Sequence, residues 1–190
     1  MKLVLSALFL VLLMSCGGSD KMKQADPESV AVYEPKWYGD TDNNYYTGYA
    51  VAESKDRQLA GSKAKSSAIN EIAQQMEVRN QGLMKQFKDE TGIGEDAELL
   101  ATATEVIKQT TSAVLNGLQI AERETRQKTV NGKRVYISYM KVTVPKAEIA
   151  NALIKKLKAK EKLYTKFQAS KGFKELEEEA AKLDEYKKNN

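Results

Sequence analysis

Histidine is absent from this sequence, and cysteine occurs once, at Cys16. The first absence removes the side chain best placed to exchange protons near neutral pH. The second excludes an intramolecular disulfide and a zinc–thiolate cluster. Nucleophilic catalysis needs a nucleophile and a base that takes its proton near neutral pH. Serines and lysines remain, but no G-x-S-x-G or S-x-x-K stands out as a Ser/Lys site. The acids are scattered, or packed into Glu177-Glu178-Glu179 on a solvated helix, and do not read as the paired carboxylates of a glycosidase. The chain therefore reads as no enzyme, with no cofactor and no metal. Its formal net charge of +4, one unit of which is Lys2 near the start, is too weak to imply nucleic acid by itself.

Long apolar runs are scarce as well. One is present at the start, where Met1-Lys2 supplies a positive residue and 3–14 is apolar except for Ser6. It is too short for a hydrocarbon core, which needs about 20 residues, but it suits the apolar region of a secretory signal. Leu13-Met14-Ser15-Cys16 resembles a lipobox: an aliphatic residue, a tolerated one, a small one, then cysteine. That resemblance implies a diacylglyceryl thioether on Cys16, cleavage just before it, and acylation of the new amine. An ordinary signal peptide would leave a lone free cysteine in an exported protein, which is unusual. One acyl chain binds a bilayer only marginally, whereas two or three hold it effectively for good. The polar run after Cys16 reads as a tether over 16–34, with a reach on the order of 20–25 Å.

Beyond the tether the hydrophobic pattern changes period. Residues 45–52 alternate, with Tyr45, Thr47, Tyr49 and Val51 on one face and Tyr46, Gly48, Ala50 and Ala52 on the other, which predicts a strand. Ser54 is positioned to cap a helix over about 55–88, with Asp56 in its first turn. Ala60, Ala64, Ala68, Ile72 and Met76 form its stripe, flanked by Ile69 and Ala73. The stripe is mostly alanine, so it can come close to the small strand face of Gly48, Ala50 and Ala52. Ala64→Phe should then overpack that contact by about 1–3 kcal/mol, and an unchanged thermal melt would refute the pairing.

Gly92 and Gly94 break the helix. A second one begins near Glu95 and carries Leu99, Ala103, Val106, Ile107, Thr110 and Val114. An extended segment over 118–129, the hairpin signal Asn131-Gly132 and a strand over 134–144 follow. Pro145 suits the first position of a helix. In the charged last third, Ala150, Leu157 and Tyr164 fall seven apart, as do Leu153, Lys160 and Phe167. Gly172 punctuates, and Phe173, Leu176, Ala180 and Leu183 make a further stripe.

The resulting class is α+β: a small three-stranded, mostly antiparallel sheet packed by long helices, with a charged helical C-terminal extension. The organisation is a signal peptide over 1–15, a lipidated N-terminus and tether over 16–34, the α+β domain over 35–155 and the extension over 156–190. Glu34-Pro35-Lys36-Trp37-Tyr38 before the first strand, the alanine-periodic helix, and a hairpin ending in Val142-Thr143-Val144-Pro145 together resemble the Lpp-twenty family of bacterial lipoproteins. The likeness covers about residues 35–155 and lies in pattern and order. It departs after Trp37-Tyr38, where the family often has Asn-Pro-Pro and this chain has Gly39-Asp40-Thr41-Asp42. The family includes a surface antigen and flagellum-associated outer-membrane lipoproteins. It implies an envelope location, an outer-membrane anchor and a helix-on-sheet fold, and it implies no reaction.

Four local motifs each admit two readings. Gly92-Ile93-Gly94-Glu95-Asp96-Ala97 matches a dinucleotide fingerprint in letters, but a helix precedes it and Val114 stands where the acid belongs, so it reads as a helix–helix turn. Asp40, Asp42 and Asn44 match the start of a calcium loop that then fails at Tyr45 and Val51, so they read as a polar turn. Trp37 and Tyr38 either close one end of a small core or form a platform for a partner. Lys155, Lys156 and Lys158 either line a solvated helix or contact anionic lipid, an envelope protein or a cell-wall polymer, while the heptads offer self-association through the C-terminal helices. Two roles follow. The first is a structural scaffold anchored at the outer membrane and facing the periplasm. The alternative is a surface-exposed lipoprotein that binds a host or environmental partner.

Overall fold

The alternating segment forms β1 (Tyr45–Ser54), and the alanine stripe lies on α1 (Arg57–Thr91). A 3-10 turn at Ile93–Glu95 leads to α2 (Ala97–Gly117), then β2 (Ile120–Val130) and β3 (Lys133–Pro145). Three helices close the chain: α3 (Lys146–Lys158), α4 (Glu161–Phe167) and α5 (Lys171–Asn189). This computed structural model describes residues 34–189. The leader, Cys16 and the tether up to residue 33 lie outside the described residues.

The sheet is antiparallel throughout, in the order β1-β3-β2. Gly48 faces Val142, Ala50 faces Met140 and Ala52 faces Ser138, so these residues share one face. On that face lies α1. Ala64, Ala68, Ile72 and Met76 are buried against Ala50, Met140, Val142 and Val144, as the two small-residue faces predict. The approach is close enough that a Cβ on Gly48 would stand 1.9 Å from the Ala68 carbonyl oxygen. Only glycine fits there.

The boundaries correct several local expectations. The cap of α1 is Asp56, whose carboxylate accepts the Leu59 N–H at 2.7 Å, while the Ser54 hydroxyl accepts the Asp56 N–H one step earlier. Both residues are good cap types, and the extended backbone of Asp56 decides between them. Gly92 ends α1 in the left-handed conformation, φ +65°. Asp96 caps α2 through the Leu99 N–H, so the fingerprint-like glycines do form a helix–helix turn. Asn131 and Gly132 both take positive φ, as a two-residue hairpin of the primed kind requires. Pro145 stays extended and still pairs with Tyr45, so the helix begins one residue later, at Lys146.

The last third is one layer of the domain. A continuous heptad helix does not form, because the chain turns at Ala159-Lys160 between α3 and α4. Ala150, Leu153, Leu157 and Phe167 instead enter a second core with Leu83, Phe87, Ile93, Val106, Phe173 and Leu176. Phe87 and Phe167 stack there with centroids 3.9 Å apart. Gly172 is no break: it lies in the first turn of α5, where a Cβ would crowd Gln86 and Phe87 of α1 at 3.1 Å. The actual stop is at Ser170, whose hydroxyl donates to the Phe167 carbonyl and accepts the Phe173 N–H. The C-terminal helices therefore dock on the domain.

Candidate functional site

The second face of the sheet carries Tyr49 and Val51 of β1, Ile137, Tyr139 and Lys141 of β3, and Glu122, Glu124, Arg126 and Lys128 of β2, placed there by the strand register. No helix of the described residues lies along it in the way that α1 covers the first face. The chain enters here. Pro35 to Tyr38 make a turn closed by the Tyr38 N–H on the Pro35 carbonyl at 2.9 Å, and Gly39 leaves it with φ +92°. The positive φ is the reason for glycine at this position.

That turn sets Tyr38 on the sheet, with Trp37 beside it. Tyr38 meets Tyr49 and Tyr139 edge to face, with centroids at 5.2 and 5.6 Å, and Trp37 lies 6.1 Å from Tyr38. Such edge contacts add about 0.5–1.5 kcal/mol per pair beyond burial. Two cations flank the cluster: Arg126 over the Tyr139 ring at 5.5 Å and Lys141 over Tyr49 at 5.7 Å. Trp37 and Tyr38 are each half-buried. Tyr38 thus seals the sheet with one side, and with Trp37 it presents an amphipathic rim on the other. Burial, with Glu34 and Glu71 nearby, raises the Tyr38 hydroxyl above its ordinary range, so it remains a neutral donor.

The acids around the face have structural work. Glu71 on α1 accepts the Tyr49 N–H at 2.6 Å, and Gln75 one turn on donates to the Thr47 carbonyl at 2.7 Å. Together they cover the middle of the β1 edge. Glu124 pairs with Arg126 and Glu53 with Lys128, each at 2.7 Å. Asp42 accepts the Asn44 N–H at 2.8 Å, and the Asp40 carbonyl accepts the Tyr49 hydroxyl. Asp40 and Asp42 therefore shape a polar turn, and Lys141 lines the same hollow. Among the described residues no group of three or more metal-ligating acids converges.

The three predicted lysines all lie on α3, apart from the aromatic cluster on the sheet. Lys155 is exposed on α3. Lys156 lines a hollow between α2, α3 and the end of β3, with Glu148. Lys158 is held by Glu177 at 3.4 Å and lies over the rings of Tyr164 and Phe173. Successive residues turn by about 100°, so Lys156 faces a different side of α3 from Lys155 and Lys158, which are neighbours at i,i+3.

A groove that periodicity did not reveal runs between α1 and α2, about 730 Å³ in volume. Ala73, Met84, Ile107 and Leu115 line it, with Lys85, Lys88 and Lys108 at its rim. The Asn80 amide donates to Thr111 across it at 2.8 Å. Such a groove appears only when two consecutive helices fold back against each other, so no local motif marks it. No helix of the described residues is long and apolar enough to cross a membrane.

Compared with known proteins, residues 35–144 match the model of one family, described as LPP20 lipoprotein. The match runs from the aromatic turn to the end of β3 and takes in more than half of the chain. No curated protein and no solved structure matches.

Proposed function

The chain belongs to the LPP20 lipoprotein family, and on that premise we propose that it is a non-enzymatic scaffold of the cell envelope, anchored to the outer membrane by lipid on Cys16 with its domain on the periplasmic side. A membrane-associated envelope lipoprotein is what the family itself suggests. The leader and the lipobox-like Leu13-Met14-Ser15-Cys16 supply the means of anchoring. The observation that carries the scaffold role is how the polar side chains are used. Glu71, Gln75, Asp56, Asp96 and Ser170 hold strand edges and helix ends. Glu53 and Glu124 lock the outer sheet face through their cations. The chemistry available goes into rigidity, which is what a protein that holds a position needs.

The partner surface on this reading is the aromatic rim of Trp37 and Tyr38 with Arg126 and Lys141 beside it. Aromatics and arginine are the residues that most often anchor protein contacts. The same rim also favours the second role, a surface-exposed lipoprotein that binds a host or environmental partner. Protease treatment of intact and permeabilised cells separates the two. The periplasmic scaffold requires a domain protected in intact cells and degraded after permeabilisation. Degradation in intact cells overturns it in favour of surface binding. In parallel, Cys16→Ala should abolish lipid labelling and processing of the precursor. Continued labelling would refute the anchor.

A further inference from the structure

Among the described residues no strand pairs with the outer edge of β2. β2 is an edge strand, β3 lies along one side of it, and α1 covers β1 and β3 while only grazing β2. Its central stretch reads Glu122-Arg123-Glu124-Thr125-Arg126-Gln127-Lys128. Exposed edges are commonly protected by charge, usually charges that repel a second copy. Here the outer-face charges change sign about Thr125, Glu122 and Glu124 before it and Arg126 and Lys128 after it, which has the opposite effect.

We propose that β2 docks antiparallel on β2 of a second copy, with a two-fold axis at Thr125, joining two three-stranded sheets into one of six strands. In that register Glu124 stands opposite the second copy's Arg126, Glu122 opposite its Lys128 and Arg123 opposite its Gln127. Residues directly opposite share a face, and opposite charges there are favourable whereas like charges are not. The neighbouring two-fold registers fail on that rule. Centring on Glu124 sets it against itself, and centring on Arg126 does the same. Complementarity therefore selects one register as well as one partner.

Three features of the fold agree with this. The Glu124–Arg126 pair at 2.7 Å becomes half of a four-charge ring across the axis. The helix layer is set back over β1 and β3, so the two α1 helices do not meet before the strands do. The axis is perpendicular to the sheet, so it carries both outer faces to the same side. Both chains then enter through their Pro35–Tyr38 turns on that side, and two tethers can reach a single bilayer. The pairing itself does not depend on the anchor.

The test is a disulfide at the axis in the full-length chain, in membranes and in detergent. Opposed strand residues have Cα atoms about 4.5–5.5 Å apart, within the reach of a disulfide. Thr125→Cys should oxidise to a covalent dimer, at least about tenfold more than Thr129→Cys, whose two copies would lie about 27 Å apart. The unsubstituted chain controls for Cys16 and so separates this result from the anchoring question. In the Thr125→Cys background, Glu124→Arg should abolish the crosslink, and Glu124→Arg with Arg126→Glu should restore it. Circular dichroism checks that each variant folds, and the charge swap guards against simple misfolding. A Thr125→Cys variant that stays monomeric, equal crosslinking by Thr129→Cys, or indifference to Glu124→Arg would each overturn the pairing.

Discussion

Beneath the sheet the core is Ala50, Ala64 and Ala68 with Ile72, Met76, Met140, Val142 and Val144. Between the helices it is Phe87, Phe167, Phe173, Leu83, Leu157 and their neighbours. The first brings backbones together and the second fills space with rings. Alanine buries little apolar area, so the sheet core gains less from transfer at about 25 cal/mol per Å². What it gains is shape. A helix can lie against a strand closely enough that Gly48 admits no side chain, and close packing of this kind sets one register. The helical core gains area, and its stacked phenylalanines leave a large void when one is removed. The two regions should therefore fail in opposite ways, one to added volume and the other to lost volume.

The strongest test of that contrast is Phe87→Ala, which removes a fully buried ring from the stack with Phe167. It should cost about 3–5 kcal/mol in urea unfolding. A loss below about 1 kcal/mol would mean that the helical core collapses freely around the gap. Gly48→Ala comes next. It adds one methyl, yet it forces α1 off the strand, and about 3 kcal/mol is expected, the upper end for overpacking. A thermal melt unchanged by this substitution would break the comparison. Gly82→Ala sharpens it from the other side. Gly82 also lies on α1, but nothing stands within 4 Å of its added Cβ. Relief of helical glycine should there stabilise by about 0.5–1 kcal/mol, seen as a raised melting temperature. The same substitution on a strand and on a helix thus changes sign according to the space around it.

The smallest effect is a pH dependence confined to the sheet end. Tyr46 packs beside the alanine core, and burial followed by Glu179 raises its hydroxyl, with Arg79 opposing. Tyr38 is raised as well, chiefly by burial. In both cases the folded state holds the phenolic proton more tightly than the unfolded chain, whose ordinary value is 10.0. Their contribution is fully present below that pH and is lost as pH rises through the folded values. Urea midpoints at about pH 8 and about pH 11 should therefore diverge, and Tyr38→Phe with Tyr46→Phe should reduce the difference. An undiminished difference would assign the alkaline loss to other groups.

Much of this was legible in the linear pattern because the signals were local. The alternation of 45–52, the four-residue rhythm from Ala60 to Met76 and the Asn131-Gly132 turn each depend on near neighbours. Even the pairing of the alanine stripe with the Gly48 face was readable, since small surfaces fit only each other. The choice of Asp56 over Ser54 as cap was not, because both are suitable and backbone direction decides. Gly172 read as a break because punctuation is glycine's commonest local role, whereas here it serves a crossing with α1. Lys155, Lys156 and Lys158 read as one basic surface, and the fold gives two of them separate settings, Lys156 in a hollow beside α2 and Lys158 against Glu177.

By itself, then, the sequence determined the element types, the small-on-small contact under the sheet, the hairpin and the lipobox-like signal around Cys16, all of them properties of periodicity and adjacency. Tertiary structure alone decided that the apolar heptad residues of the last third turn inward, that Glu71 and Gln75 cover one sheet edge while no strand of the described residues pairs with the other, and that Tyr38 rests on Tyr49 and Tyr139. Each of these joins segments far apart in the chain. Such contacts are settled by the apolar area and strand edges left over once local structure has formed, and no local pattern records that remainder.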